Sequence, residues 1–107
     1  MPFYLIQGVY SQEGSSHLVT HPQRREDVLR ETCKELGGQL HFYFFSFGQY
    51  DAAMLAELPD NEAAAALAVS AKASGGASTV HTTVLLTTTE AIEAMKKAQN
   101  DKFEAPH

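Results

Sequence analysis

A single cysteine, Cys33, in 107 residues leaves no internal disulfide and no CxxC motif for metal or redox chemistry. That usage leads us to expect a reducing, cytoplasmic setting. Positive charge is scarce as well: 8 Lys and Arg stand against 13 Asp and Glu, for a net charge of -5. The adjacent basic pairs, Arg24-Arg25 and Lys96-Lys97, each have acidic neighbours, so no surface is built to track phosphates and nucleic acid is not an expected partner. Long apolar runs are missing too. No stretch approaches the roughly 20 apolar residues that span a bilayer. The opening "MPFYLIQGVY" has no basic n-region and only a short apolar run, so neither a secretory signal nor a membrane partner is expected. Catalytic-triad motifs, phosphate-binding glycine loops and metal-ligand clusters are also absent, and the sequence predicts no metal and no cofactor.

What is present is an ordinary globular composition, 44% apolar and 20% charged, in a chain of one-domain size. "PFYLIQGVY" (2–10) is β-rich and apolar on both faces, so the strand needs cover on both sides. "SQEG" makes a turn or begins a helix, and Pro22 suits the first turn of the next one. Leu29, Cys33 and Leu36 recur at helical spacing in "QRREDVLRETCKELGG" (23–38), which places Cys33 in a packed stripe, and Gly37-Gly38 supplies the stop. Strands follow at 39–47 and 50–58, with Gly48-Gln49 between them as a tight hairpin turn and Gly48 at positive φ. Residues 59–76 form a helix capped by Asp60 and ended by Gly75-Gly76. A fourth strand, 78–86, is rich in β-branched residues, and Thr87 with Glu90 is a capping box for a last helix carrying Ala91, Met95 and Ala98.

The order β-α-β-β-α-β-α is the ferredoxin-like split βαβ arrangement, an α+β fold with a four-stranded antiparallel sheet and an added C-terminal helix. Residues 1–98 make the domain. Residues 99–107 read as a tail with one anchor, Phe103.

The densest feature is "FYFFSFGQYD" (42–51), with five aromatic residues in its first six positions. Counting outward from a two-residue turn pairs Phe45 with Ala52 and Tyr43 with Met54. One face then holds Leu40, Phe42, Phe44, Ser46, Asp51, Ala53 and Leu55, the other His41, Tyr43, Phe45, Phe47, Tyr50, Ala52 and Met54. Two crossover helices cover only one face, and leaving the other in water makes too large an apolar patch for a monomer. The face with polar-tipped rings suits an interface. Phe42, Phe44 and Leu55 are therefore expected under the helices, and His41, Tyr43, Phe45 and Met54 between two copies of the chain.

Several segments carry a resemblance: "YLIQGVYSQEG" (4–14), "LGGQL" (36–40), "FGQYD" (47–51), "AELPD" (56–60) and "HTTVLLTTTEA" (81–91). In these the chain resembles the GYD domain family, whose signature stands here as Gly48-Gln49-Tyr50-Asp51. The resemblance implies a dimeric α+β barrel, in which two ferredoxin-like sheets pack face to face. That superfamily holds cofactor-free monooxygenases, isomerases, haem proteins and ligand sensors, so it implies no single chemistry.

Five residues are candidates for ligand contact. Asp51 suits either a general base at the rim of a helix–sheet cleft or a carboxylate bracing the turn through backbone N–H groups. Tyr50 offers a hydroxyl beside it, and Gln7 an amide on a central strand. His17 and His21, four apart, share a helix face, with no third ligand near in sequence. Three functions follow. The leading one is a small-molecule-binding, non-catalytic homodimer or higher oligomer. The alternative is a cofactor-independent monooxygenase or isomerase acting on a small hydrophobic or aromatic substrate, with Asp51 and a histidine or tyrosine moving protons. The third is a subunit whose role is assembly.

Overall fold

The structure, a computed structural model, describes residues 1–22 and 24–100, with Arg24 described by its backbone alone. Phe103 therefore lies outside the described residues. Strand β1 (Phe3–Tyr10) is followed by helices α1 (Gln12–Thr20) and α2 (Arg24–Glu35). Next come strands β2 (Gln39–Phe45) and β3 (Ala52–Glu57), helix α3 (Asn61–Ala73), strand β4 (Ala77–Leu85) and helix α4 (Thr88–Gln99). The four strands form one sheet in the order β2-β3-β1-β4, every neighbouring pair antiparallel. This is the ferredoxin-like arrangement, with β1 and β3 central and β2 and β4 at the edges.

Local chemistry accounts for the boundaries. Ser11 caps α1 by accepting the Gly14 N–H at 2.9 Å. Asp60 caps α3 by accepting from Ala63 at 2.9 Å. Thr87 and Glu90 form the reciprocal capping box of α4. The exits of α2 and α3 need a left-handed backbone, which Gly37 and Gly75 adopt at φ of 85° and 83°.

The core lies between one sheet face and helices α2 and α3. Tyr4, Ile6, Leu40, Met54 and Ala56 of the sheet are buried together with Cys33 of α2 and Ala64 and Leu67 of α3. The small side chains Ala56 and Ala64 let α3 sit close to the sheet. Cys33 is thus a packing residue, and burial pushes its thiol pKa up. The Tyr4 hydroxyl reaches out of this core to the Asn61 side-chain oxygen at 2.7 Å.

The predicted pairing holds: Phe45 is opposite Ala52 and Tyr43 opposite Met54. The assignment of the two faces is reversed. Met54, expected in the interface, is only 4% exposed and belongs to the core, and Tyr43 packs against that core. Phe45 is on the same side, at the rim, half-exposed against Tyr10 and Tyr43. Phe44, expected under the helices, is 63% exposed on the opposite face, with Phe42 beside it at 36%. Leu55, the third residue expected there, is half-buried and aligned with Phe42.

One local feature explains the reversal. The register of β2 against β3 shifts between Leu40 and Phe42. This bulge turns Leu40 into the core and leaves His41 beside Phe3 and Glu57, the one interface candidate of the four that keeps the open face. Arg30 of α2 supports the bulge by donating to the Leu40 carbonyl at 2.8 Å. Without changing this register, the hairpin does not turn on Gly48-Gln49. Residues 46–51 form its loop, closed by Ser46 N–H donating to the Asp51 carbonyl at 2.9 Å, and Gly48 does not take the expected positive φ.

Helix α4 follows β4 with no buried residue. No helix among the described residues is long and apolar enough to cross a membrane.

Candidate functional site

The helix-covered face is not filled evenly. Towards the end of β1 its row changes from Tyr4 and Ile6 to Gly8, and the neighbouring strand contributes Ala52. Helix α3 presents Ala68 and Ala71 above them. Small residues on both layers leave a cavity of about 60 Å³, walled by Ile6, Leu29, Met54, Leu67 and Val80. That is room for about two waters, in walls that are almost wholly apolar.

Polar groups converge at one end of this cavity. Tyr10 ends β1 and Tyr43 lies on β2, two strands away, and their hydroxyls share a hydrogen bond. Burial raises the pKa of both phenols. For Tyr43 the bond to Tyr10 adds to the rise, whereas for Tyr10 the bond to Tyr43 and the charge of Arg25 offset part of it. Both are protonated at neutral pH. Two hydroxyls carry two protons, and one hydrogen bond between them uses one. Among the described residues neither hydroxyl has another hydrogen-bond partner, so the pair keeps one proton to donate.

Arg25 of α2 closes the same end. Its guanidinium lies 5.4 Å from the centre of the Tyr10 ring, close enough for a cation–π contact. On its other side is the backbone of Gly76, where an added Cβ would fall 2.7 Å from a guanidinium nitrogen. Arg25 lines both the inner cavity and an outer, more open cleft of about 500 Å³ between α1 and the loop after α3.

The predicted site residues divide between the two sides of the sheet. His17 and His21 stack at 4.7 Å on α1 and line the outer cleft with Glu13 and Arg25. Asp51 lies at the base of the site, where its carboxylate accepts the backbone N–H of Tyr10 at 3.0 Å. It braces a backbone donor, as one of its two readings required, but the donor belongs to β1 rather than to the turn. Gln7 and Tyr50 are not brought to the cleft. Gln7 pairs with Ala53 and His81 on the open face, and the Tyr50 ring lies 6.0 Å from that of His81. No group of three metal-ligating side chains occurs among the described residues.

Tyr10, Tyr43 and Arg25 in combination were missed in the sequence. Tyr43 was assigned to the wrong face, and Arg25 was read only as half of a basic pair. One available signal was Gly8 with Ala52, Ala68 and Ala71, a concentration of small residues that marks thin cover.

The GYD domain family model matches residues 4–95, most of the chain. No curated protein matches the sequence.

Proposed function

This chain belongs to the GYD domain family, and we propose that it is a non-catalytic, small-molecule-binding subunit of a homodimeric α+β barrel. The observation that carries the binding role is the cavity beneath α3, an apolar chamber with the paired Tyr10 and Tyr43 hydroxyls at its polar end. Small-molecule sites have this make-up, mostly apolar walls with a few convergent polar groups, and the outer cleft of about 500 Å³ that shares Arg25 supplies the volume that the chamber alone lacks. A fully packed cleft would suit an assembly role alone. The enzymatic alternative, a cofactor-independent monooxygenase or isomerase, relied on Asp51 as a base. Its carboxylate is held instead by the Tyr10 backbone, which favours binding over proton transfer.

The dimer rests on the other face. Phe42, Phe44, Leu5 and Leu55 share it, and no helix among the described residues packs closely over them. Four strands about 4.8 Å apart and about seven residues long make a face of roughly 19 by 23 Å before side-chain relief. Over two copies that is roughly 900 Å² before side-chain relief, just under the roughly 1,000 Å² at which specific contacts begin, and a two-fold pairing is the commonest. A second copy supplies the matching surface, with the His41–Glu57 hydrogen bond (3.0 Å) at its rim. Cys33, buried and unpaired, suits a reducing cytoplasmic setting.

Native mass spectrometry of freshly purified protein tests both parts. The expected result is a dimer that carries, or takes up, one small molecule per subunit. A monomer without any adduct, unchanged on exposure to a metabolite extract, overturns the reading.

A further inference from the structure

The cleft holds a cation, Arg25, that forms no ion pair among the described residues. Ion pairs among the described residues join Arg30 to Glu26, His41 to Glu57 and Lys96 to Glu93, and none involves Arg25. The nearby carboxylates have hydrogen-bond partners of their own, although the charges of Asp51 and Glu26 still act on the tyrosine pair. Glu26 is held by Arg30 at 3.1 Å, and Asp51 accepts the Tyr10 N–H. Glu13 lines the outer cleft, its carboxylate against Gly75, the neighbour of the Gly76 that Arg25 touches. The guanidinium is half-buried between the Tyr10 ring and Gly76, a placement that limits its freedom before any ligand arrives. A guanidinium presents its donors in a planar fork matched to a carboxylate. The spare hydroxyl proton of the Tyr10–Tyr43 pair adds a neutral donor beside it.

We propose that the cleft binds a small organic carboxylate, its charged group on Arg25 and the tyrosine pair and its compact apolar tail in the chamber of Ile6, Met54 and Leu67. This rests on the cleft being a binding site and names the chemistry of its occupant. The chamber of about 60 Å³ sets the tail at about two to three carbons, since a cavity of about 150 Å³ holds a six-carbon ring. A longer ligand extends into the outer cleft past His17 and His21. Uncharged molecules of the same shape fill the chamber but leave the guanidinium unpaired.

The test is a titration of the isotope-labelled protein with butyrate and, separately, butyramide, followed by amide chemical shifts. Butyrate should give saturable shifts at Tyr10, Met54 and Leu67, with butyramide at least about ten-fold weaker. Arg25→Gln, with an otherwise unchanged spectrum, should bind the two alike. Ala71→Phe, which fills the chamber from α3, should bind neither. Equal affinity of the wild type for both compounds overturns the carboxylate assignment and leaves the cleft a binding site. A preference for butyrate that survives in Arg25→Gln overturns the role given to Arg25. Shifts at the cleft with neither compound overturn the inference and the binding reading together.

Discussion

The carboxylate of Asp51 accepts the backbone N–H of Tyr10 at 3.0 Å, from a loop 41 residues further along the chain. The contact falls where β1 outruns its partner. Strand β3 begins at Ala52, and the pairing of β1 with β4 shifts between Val9 and Tyr10. The Asp51 side chain stands in for a missing strand, while its own N–H donates to the Gly8 carbonyl at 2.8 Å. The Tyr-Asp end of the aromatic hairpin thus fastens the loop to the central strand, and the same fastening positions the ring of Tyr10 in the cleft.

Asp51→Ala leaves the half-buried Tyr10 N–H without its partner and should cost about 1–3 kcal/mol. Asp51→Asn keeps an acceptor oxygen and should cost less. Urea denaturation of both variants checks the order; equal stability of Asp51→Ala and wild type would remove the brace.

Met54→Ala opens a cavity in the core and should cost about 2–5 kcal/mol of subunit stability. Phe44→Glu acts on the opposite side of the sheet. It places a charge in each half of the proposed dimer interface and should shift sedimentation towards monomer. A sedimentation profile identical to wild type at micromolar concentration would show that this face is not the contact.

Gly14→Ala should be costly for a helical alanine substitution. Its Cβ would lie 2.2 Å from the Gly76 carbonyl oxygen, which is backbone and cannot rotate away. Separating α1 from that loop loosens the wall of the outer cleft, so the thermal midpoint should fall by several degrees. Ser15→Ala, on an exposed neighbouring position, should leave it unchanged.

Alkaline pH should weaken the fold through the tyrosine pair. Burial raises both phenols in the folded chain above the ordinary value of 10.0. Between the unfolded and folded values the native state therefore binds more protons, and stability falls as pH rises. The contribution is complete below about pH 10 and lost progressively above it. Denaturation midpoints from pH 9 upwards should show this decline, and Tyr43→Phe should make it shallower. An unchanged slope in that variant would dissociate the pair from the effect.

The element order, two helix caps and both glycine stops could be read along the chain, because each depends on residues a few positions apart. The capping box of Thr87 and Glu90 is such a case. Which face of the hairpin meets the helices could not be read in this way. Alternation says which residues share a face, and both faces here carry large rings. The choice was made by the bulge after Leu40 and by the fit of α3 to small residues on β3, both tertiary effects. The cleft was less legible still. Arg25, Tyr10 and Tyr43 come from three elements, and only the packing of α2 over the sheet brings them to one point.

In the proposed dimer, helix α4 would act as a gauge of assembly. Twelve residues with a good cap and no buried side chain form a helix that is marginal in water when left alone. Its apolar residues Ile92 and Met95 are exposed, close in sequence to the equally exposed Leu86. No other described helix or strand buries them, and in the proposed dimer the second subunit would supply their cover. The order of this segment then reports on association: its amide protons should exchange rapidly in dilute protein and slow as concentration rises, while those of β1 and β3 remain protected throughout.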